Sequence, residues 1–567
     1  MNSFSFLLFS LLISVVIAID VGTLEHIDPT LPPALPGQTP KCSVLILHHD
    51  FANTVGAPPA SANYTQPAEC PYPWTRVVLE LSVSASDVQK SRIAAIWIDG
   101  AEILRTSTPL PTSSGAFWRV QKDVTRYATL LRHLSGGEAA GRMVYMMLEN
   151  SNETLPGVFS ANVTLHFYRG ALIDGRQGYT ARPTVKGLYR QPADVILPVS
   201  QGCYGNGFWF RIHNESHVPF SSVTIPSNTF RAVLEIFASH HADDEFWYSN
   251  PLRSSYSGEF PKSNGGFRQL YATIDGKYVG GHIPFPVIYP GSINPYFWSP
   301  VAAIGSFDIP SYDLDVTPFL SMLLDGGPHE IGLGVRDALP HWLVTANLHL
   351  WIDARSDTVL AGVVDYIAPP MKVSKNGEWR SVEGQSEVNA DGLVRFSGWT
   401  ASSFGNITTT VRQKITFKSQ IEVQNRGSVR QVEMINKARN TIGVTSGSQI
   451  LGRVQMFVES PLQLQSTMET EMGGGELERT RLFHELQEVV NLNENQVVSS
   501  STLIDRQNAE GSALVHDGVT LWGSGSTKSS YKYRDDANAC YLRTVSTEGG
   551  AVKFDMSSPS CSTMAEA

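Results

Sequence analysis

The chain has 567 residues, of which 42% are hydrophobic and 17% charged, with a formal net charge of −10 and a pI near 5.9. This composition is typical of a folded globular protein and excludes an intrinsically disordered chain. The acidic balance argues against nucleic acid and anionic membrane as partners, and the length favours three or more domains.

The chain opens with an apolar run from Phe4 to Ile19, about 16 residues almost free of charge. The run is short for a membrane span, and Val16-Ile-Ala18 offers a small residue for cleavage. We therefore expect a secretory signal peptide over residues 1–18. A retained signal anchor is the alternative, because no Lys or Arg precedes the run. No later segment reaches 18 consecutive apolar residues, so no stable membrane span is expected.

Sequons and cysteines agree with the secretory pathway, which places the protein in an extracellular, vacuolar or lysosome-like compartment. Five Asn-x-Ser/Thr sequons are candidate glycosylation sites: Asn63, Asn152, Asn162, Asn214 and Asn406. The cysteines also number five: Cys42, Cys70, Cys203, Cys540 and Cys561. In an oxidising compartment Cys42–Cys70 and Cys540–Cys561 are sensible local disulfides, which leaves Cys203 without an assignment.

Beyond the leader, short β-strands dominate the pattern. Residues 19–40 form a linker, with five prolines between Asp28 and Pro40. From Cys42 onward, short apolar runs are bounded by Gly, Pro, Asn and Ser clusters at the spacing of an all-β sandwich. The helical patterns are short, Val124–His133 and Thr317–Leu324. Each begins within an Asp-Val-Thr phrase, whose Thr is an expected N-cap and whose Asp is an expected cap as well.

Four phrases occur twice in the same order, which indicates a duplicated domain. Arg76-Val-Val-Leu-Glu80 returns as Arg231-Ala-Val-Leu-Glu235, Ile98-Asp-Gly100 as Ile274-Asp-Gly276, Asp123-Val-Thr125 as Asp315-Val-Thr317, and Ala161-Asn-Val-Thr-Leu165 as Ala346-Asn-Leu-His-Leu350. We expect two tandem jelly-roll-like antiparallel β-sandwiches packed side by side, at residues 41–169 and 195–355, joined by a connector at 170–194. Residues 356–567 form a third β-rich region. The seam between the repeats is the expected place for a site.

Long, uncommon phrases run in order through both repeats. They include Ile96-Trp-Ile-Asp-Gly100-Ala-Glu-Ile-Leu-Arg-Thr-Ser-Thr108 and Lys122-Asp-Val-Thr-Arg126-Tyr, then Asp244-Glu-Phe-Trp-Tyr-Ser-Asn-Pro251 and Asn294-Pro-Tyr-Phe-Trp298. With these phrases the chain resembles the peptide:N-glycanase A family, the glycoamidases that release N-linked glycans from glycopeptides. A bacterial relative of this activity consists of two side-by-side jelly rolls with the site at their interface.

The resemblance implies hydrolysis of the amide between an Asn side chain and the first GlcNAc of N-linked glycopeptides or denatured glycoproteins. Water attacks the carboxamide carbon, Asn becomes Asp, and the glycosylamine leaves. Such a step needs a carboxylate that activates or orients water and donors that hold the developing oxyanion. In principle it needs no metal and no organic cofactor.

Glu245 is the first catalytic candidate, because it follows Asp243-Asp244 and precedes aromatic residues, as in an acidic-aromatic stretch of the bacterial interface. A solvated strand-end turn is the bland alternative. Glu149 matches a second carboxylate of the bacterial site, and its alternative is an exposed strand-end Glu. Substrate-binding candidates are Asp244, Trp247 and Trp298, the two tryptophans being the ones expected to be exposed.

Ser91 departs from the family pattern. The family carries Asp-Arg-Ile before the strand that holds Ile96, and its Asp resembles the principal catalytic aspartate of the bacterial relative. Here the phrase is Lys90-Ser-Arg-Ile93, and a neutral hydroxyl cannot act as a carboxylate base. Either another acid such as Asp87 substitutes, or turnover is weak, or the chain binds glycopeptides without cleaving them.

Two other classes of function stay open. A glycan-binding protein on the same scaffold follows from Ser91, and a glycoside hydrolase with Asp244, Glu245 and Glu149 is chemically possible. Metal binding by His48-His-Asp50 or His240-His241 is disfavoured, because adjacent residues of a strand point to opposite faces. Asp99 and Asp275 are read as hairpin turns.

Overall fold

The computed structural model describes residues 24–34, 38–132, 141–151, 153–169, 192–202, 207–252, 263–380, 382–471, 473–494, 497–517, 519–536 and 539–560. The predicted signal peptide, Asn152, most of the predicted connector, Cys203 and Cys561 lie outside these residues. Nearly all strand pairings are antiparallel and only short helices occur in the described part. The predicted all-β class is confirmed.

The first sandwich consists of two facing sheets, ordered β1-β7-β4-β9-β2 and β3-β8-β5-β6. Its strands are β1 (Leu24–His26), β2 (Cys42–Phe51), β3 (Ala60–Tyr64), β4 (Arg76–Ala85), β5 (Ile93–Ile98), β6 (Ala101–Ser107), β7 (Ala116–Asp123), β8 (Arg142–Leu148) and β9 (Phe159–Tyr168). A 3₁₀ turn, Thr125–Tyr127, and helix α1, Ala128–Leu131, follow β7. Alternate residues of β9 are buried, as the period of a strand with one core-facing side requires.

The second sandwich has sheets ordered β10-β18-β13-β16 and β12-β17-β14-β15, with β11 added on β18. Its strands are β10 (Val195–Val199), β11 (Phe210–Ile212), β12 (Phe220–Val223), β13 (Thr229–His240), β14 (Gln269–Ile274), β15 (Lys277–His282), β16 (Ser311–Asp315), β17 (His329–Arg336) and β18 (Trp342–Ile352). Short 3₁₀ turns span Ala242–Asp244, Trp247–Ser249, Pro295–Phe297 and Thr317–Phe319, and helix α2 spans Leu320–Leu323.

The two sandwiches share one topology. The order β7-β4-β9-β2 of the first corresponds to β16-β13-β18-β10 of the second, and β3-β8-β5-β6 corresponds to β12-β17-β14-β15. The repeated phrases fall on matching strands, β4 with β13, β5 with β14 and β9 with β18. The predicted pair of like-wound sandwiches is thus confirmed.

The repeated Ile-Asp-Gly phrases form matching hairpin turns. Asp99 and Asp275 adopt left-handed φ values of 48° and 49°, each followed by a glycine with positive φ. Their carboxylates accept backbone hydrogen bonds from Met143 at 2.8 Å and from Glu330 at 2.9 Å. These aspartates are turn residues, as the sequence predicts.

The repeated Asp-Val-Thr phrases begin the short helices in the same way. Asp123 Oδ1 accepts from the Thr125 amide at 2.9 Å, and Asp315 Oδ1 accepts from the Thr317 amide at 3.1 Å. The threonine hydroxyls instead accept from the amides of Val77 on β4 and Ala232 on β13. The Asp caps are confirmed, and the prediction that Thr is the N-cap is wrong because each Thr ties its turn to the neighbouring strand.

The C-terminal region forms one sheet of eleven strands. They are β19 (Leu360–Ile367), β20 (Lys372–Arg380), β21 (Glu383–Ser402), β22 (Gly405–Gln424), β23 (Val429–Ser446), β24 (Gln449–Thr470), β25 (Glu476–Glu494), β26 (Val497–His516), β27 (Val519–Asp535), β28 (Cys540–Glu548) and β29 (Ala551–Ser558). The apolar face of this sheet packs on the second sandwich, where Phe396 contacts Phe319 and Phe417 contacts Phe267. The predicted third β-rich region is confirmed.

One of the two predicted local disulfides is present in the described residues. Cys42 and Cys70 form a disulfide with a Cα–Cα distance of 5.8 Å, as predicted. Cys540 is disulfide-bonded, and its predicted partner Cys561 lies outside the described residues. No helix in the described ranges is both long and apolar enough to cross a membrane.

Candidate functional site

The two sandwiches meet through a buried ion pair on β6. Arg105 donates from Nε and Nη2 to the Glu102 carboxylate at 2.7 Å each, and both side chains are inaccessible to solvent. Arg105 also donates to the Leu343 carbonyl at 2.5 Å and the Ser239 hydroxyl at 3.2 Å, while Asn347 donates to the Glu102 carbonyl at 2.7 Å. Strand β6 is thereby fixed against β13 and β18, and the relative position of the repeats is fixed with it.

Arg105→Met should destabilise the protein strongly, because it leaves the Glu102 carboxylate buried without its cation. We expect a loss of about 3–5 kcal/mol in the free energy of unfolding, read from the urea midpoint. Arg119→Met is the matched control, since Arg119 is exposed on β7, and it should change the value by less than about 0.5 kcal/mol. The double variant Glu102→Gln/Arg105→Met should regain part of the loss. A single variant with the parental midpoint would contradict this role.

A second buried carboxylate, Glu235 on β13, joins the repeats. It accepts from Tyr127 of repeat one at 2.8 Å and from His349 at 3.0 Å, and Arg126 lies 3.1 Å away. Burial alone would raise the Glu235 pKa, but Arg126 and His349 hold the pKa below its ordinary value. With every neighbour a donor, Glu235 is a structural anion of the interface.

Glu149 lies at one end of this interface. It follows β8 of repeat one and is a quarter exposed. Arg211, on β11 of repeat two, places Nη2 3.7 Å from Glu149 Oε1 and Nη1 2.9 Å from His341 Nε2. Because a guanidinium only donates, His341 Nε2 is the acceptor in this bond. Arg211 therefore connects the carboxylate of one repeat with the imidazole of the other.

Ser91 and Arg92 lie on the loop before β5, on the same side as Glu149. Ser91 Oγ donates to the Thr108 carbonyl at 2.8 Å, and the Arg92 amide donates to Thr108 Oγ1 at 2.9 Å. Burial lowers the Arg92 pKa, and the Glu149 carboxylate partly opposes that shift. Buried Gln89 holds the loop, donating to three backbone carbonyls, the first that of Ser151 at 3.0 Å. Arg92 and Arg211 both act on Glu149.

Three aromatic rings lead from Arg211 towards Glu245. His341 stacks on His241 at 5.4 Å between centroids, and His241 stacks on Tyr289 at 5.8 Å. Burial lowers the His341 pKa to about 4, with the positive charge of Arg211 adding to the effect. Burial also holds the His241 pKa well below its ordinary value. Both rings are neutral near pH 7 and act as hydrogen-bonding groups.

Glu245 lies at the other end of this row, in the loop after β13. Ser292 Oγ donates to Glu245 Oε1 at 2.9 Å, and Ser292 belongs to a turn in which its amide donates to the Tyr289 carbonyl at 2.9 Å. Burial raises the Glu245 pKa, and the Ser292 bond only partly opposes it. Glu245 Oε2 makes no hydrogen bond within the described residues, so this oxygen is available to water or substrate.

The structure thus places Glu245, Glu149 and the Ser91 loop around one junction of the two repeats. Arg211, His341, His241, Tyr289 and Ser292 link them by successive contacts. Sequence reasoning gave none of these linking residues a role. The Arg211–His341 contact spans 130 positions, so no local pattern marks it. Arg92 stood in a quoted phrase beside Ser91, and His241 was weighed only in a disfavoured metal-binding pair.

Asp244 has a structural role, because its carboxylate forms hydrogen bonds only inside the protein. The carboxylate accepts hydrogen bonds from Arg268 Nε at 2.8 Å, Arg268 Nη2 at 2.5 Å, the Leu339 amide at 2.8 Å and Trp342 Nε1 at 2.6 Å. The side chain is fully buried. A carboxylate with four internal donors offers no free oxygen to a substrate. In this structure Asp244 anchors the loop that carries Glu245.

The expected exposure of Trp247 and Trp298 is wrong. Trp247 has no exposed surface and Trp298 is 2% exposed. Both belong to the core of the second sandwich, and Trp298 donates to the Ser292 carbonyl at 3.0 Å. The 3₁₀ turns at 242–244, 247–249 and 295–297 direct these rings inward. Trp298 instead supports the turn that presents Ser292 to Glu245.

Comparisons with known proteins identify related chains. The family model described as "Peptide N-acetyl-beta-D-glucosaminyl asparaginase amidase A" matches residues 29–369. The "Peptide-N4-(N-acetyl-beta-glucosaminyl)asparagine amidase A" of Prunus dulcis is 34% identical over 554 residues, covering 96% of this chain and 94% of that protein.

Solved structures give a fainter likeness. A recombinant peptide:N-glycanase F matches with 12% identity and a TM-score of 0.34, over 55% of this chain and 96% of its own. A structure of PNGF-II matches with 9% identity and a TM-score of 0.33, over 57% and 64% of the two chains.

Proposed function

Since the chain belongs to the peptide N-acetyl-β-D-glucosaminyl asparaginase amidase A family, we propose that its amidase site is the junction of the two sandwiches between Glu149 and Glu245. The resemblance predicted from the sequence is confirmed by this membership. The reaction is hydrolysis of the amide between an Asn side chain and the first GlcNAc of an N-glycopeptide. The observation that carries the location is the half-buried Glu245, which keeps one free carboxylate oxygen beside the row of contacts to Glu149.

Glu245 is the proposed general base. Its Oε1 is held by Ser292, which leaves Oε2 to accept a proton from the attacking water. Burial raises its pKa and so makes the carboxylate a better proton acceptor than an exposed one. As the water oxygen bonds to the carboxamide carbon, the carbon–nitrogen bond breaks. The proton held by Glu245 passes to the departing nitrogen, which gives Asp and a glycosylamine.

Arg211 and Arg92 are the proposed electrostatic partners of this step. Arg211 reaches the junction from β11 and Arg92 from the loop before β5, and each acts on Glu149. A guanidinium has five N–H donors, so both can hold Glu149 and still donate to the bound glycopeptide. Glu149, held by these two guanidinium groups, is placed to accept a hydrogen bond from a donor of the bound glycopeptide.

A defined short glycopeptide distinguishes this reaction from its rivals. In H₂¹⁸O, the amidase should convert the glycosylated Asn to Asp with one ¹⁸O in the new carboxyl group, as measured by peptide mass. A glycoside hydrolase would leave a GlcNAc on the peptide or an unchanged Asn. Binding without any mass change would favour the glycan-binding alternative and overturn the proposal.

We also propose that the protein works in an oxidising compartment of the secretory pathway. The Cys42–Cys70 disulfide supports this, as do the exposed sequons at Asn214 and Asn406. The substrates there would be glycopeptides or denatured glycoproteins. Enzymatic removal of N-glycans from protein purified from its source should lower its mass, and an unshifted mass would contradict the placement.

A further inference from the structure

A cavity of about 500 Å³ lies between the second sandwich and the C-terminal sheet, apart from the proposed amidase site. One wall is the outer face of β14, β15 and β17, from which Gln269, Tyr271, Tyr278 and Arg336 project. The facing wall is β21 and β22, which contribute the Val394–Gln413 pair. Its volume is within the range of roughly 300–1,000 Å³ that small-molecule sites occupy.

Two glutamine side chains line this cavity and have few hydrogen-bond partners in the described part of the protein. Gln413 is 6% exposed and makes no side-chain hydrogen bond within the described residues. Gln269, also 6% exposed, has only a long contact of 3.4 Å from its amide nitrogen to the Tyr278 hydroxyl. Both amides line the cavity, so their donors and acceptors are open to a ligand that bonds to them.

Tyr271 and Tyr278 lie on the wall formed by the second sandwich. The Tyr271 ring lies over Gly334, where an added Cβ would come within 2.4 Å of the ring. Tyr271 and Tyr278 stand 6.4 Å apart between centroids with their planes tilted by 32°. Only a glycine opposite Tyr271 allows its ring to lie flat on the sheet and present a face to the cavity.

The cavity is lined by one residue of each charge, Arg336 and Glu215. Arg336 donates from Nη1 to the Met371 carbonyl at 3.2 Å, and Glu215 Oε2 accepts from the Asp337 amide at 3.2 Å. Neither side chain forms an ion pair within the described residues. One cation and one anion at the same cavity disfavour an anionic or cationic ligand, and the buried amides disfavour a purely apolar one.

We propose that this cavity binds a neutral saccharide. A sugar ring offers a C–H face that packs on tyrosine and a rim of hydroxyls that both donate and accept. The cavity offers two amides, a guanidinium and a carboxylate. Each of these planar groups can form paired hydrogen bonds with two adjacent hydroxyls of a sugar. This accessory site goes beyond the proposed amidase reaction, and its binding does not require turnover.

The same chemistry of recognition fits two sources of saccharide, an external glycan or a glycan of the chain itself. Asn214, an exposed sequon, directly precedes Glu215 and Ser216, which both line the cavity rim. A glycan on Asn214 would therefore start at the rim. The chemistry of recognition is the same for both sources, so the experiment has an arm for each.

The test titrates the full chain with N,N′-diacetylchitobiose and, separately, α-mannotriose, followed by calorimetry and saturation-transfer NMR. Gln413→Leu keeps the volume and removes the amide, and it should weaken binding at least about tenfold. Gln420→Leu is the matched control, because Gln420 lies on the exposed face of the same strand, and it should bind as the parent does. Thermal melting checks that both variants fold.

A second arm uses Asn214→Gln, which removes the sequon. If the cavity holds the chain's own glycan, only Asn214→Gln will bind added sugar, and Gln413→Leu will abolish that gain. If external glycans are the ligand, parent and Asn214→Gln will bind alike. The proposal is overturned if neither sugar binds parent or Asn214→Gln at millimolar concentration. It is also overturned if adding Gln413→Leu to whichever of these two chains binds the sugar leaves the affinity unchanged. Glycopeptide turnover should be parental in Gln413→Leu, so a failed amidase assay does not bear on this result.

Discussion

Glu245→Gln is expected to lower kcat for glycopeptide hydrolysis by roughly two to four orders of magnitude, with a far smaller change in KM. Gln keeps the volume of the side chain and an oxygen that accepts from Ser292. The loop geometry should therefore survive while the proton acceptor is lost. The measurement is the rate of Asn-to-Asp conversion in a defined glycopeptide.

The pH dependence of the parent should report the same residue. Burial raises the Glu245 pKa above its ordinary 4.5, so the acid limb of the kcat/KM profile should lie above that pH. An acid with a raised folded-state pKa stabilises the fold below its ordinary pKa, and this contribution is lost as pH rises through the raised value. Near pH 7 the ionised Glu245 thus costs stability, and Glu245→Gln should melt at a higher temperature than the parent.

Glu330→Gln is the control for this experiment, because Glu330 is exposed on β17. It should change neither turnover nor melting temperature. Parental turnover in Glu245→Gln would exclude Glu245 as the base, whatever its effect on stability. Lost turnover together with a lower melting temperature would instead indicate a disturbed loop.

Local patterns were sufficient to predict the architecture. Asp99 and Asp275 repeat because the same hairpin needs the same left-handed residue. Asp123 and Asp315 repeat because both cap a short helical segment. Such turns and caps depend on residues that are close in sequence, so a single amino-acid sequence is enough to predict them. The long C-terminal strands were likewise visible as alternation, for example in β22.

The site was predictable only in its carboxylates. Glu245 and Glu149 were proposed from motif resemblance, but Arg211, His341 and Ser292 become neighbours only when the sandwiches pack. The error over Trp247 has a related cause. The acidic-aromatic stretch does not by itself show which ring is buried, and the 3₁₀ turns after β13 turn the Trp247 ring into the core.

Ser91→Asp is the second variant from which we expect a large effect, a gain of roughly two to four orders of magnitude in turnover. The parental Ser91 hydroxyl donates to the Thr108 carbonyl, so it positions the loop and cannot take a proton from water at neutral pH. A carboxylate at this position would stand next to Arg92, whose guanidinium already acts on Glu149. Arg92 would keep the new carboxylate ionised.

The gain should come with a loss of stability. Asp cannot donate to the Thr108 carbonyl when ionised, so Ser91→Asp should lose about 1 kcal/mol in the free energy of unfolding. Ser91→Asn matches Asp in size, lacks the charge and can still donate to that carbonyl. Turnover that rises in Asp but not in Asn would assign the gain to the carboxylate, measured with the same glycopeptide.

A parent that already hydrolyses the glycopeptide as fast as Ser91→Asp would show that the reaction needs no carboxylate at position 91. Asp87 is then the first alternative, although its Oδ1 accepts from the Val88 amide at 2.7 Å within its own turn. Asp87→Asn would keep that bond and remove the charge. Glu245 alone would be left as the base if Asp87→Asn turned over at the parental rate. Glu245 keeps a free oxygen at the junction whatever residue occupies position 91. Ser91→Asp and Glu245→Gln therefore test separate groups. The double variant Ser91→Asp/Glu245→Gln should show the loss of turnover caused by Glu245→Gln.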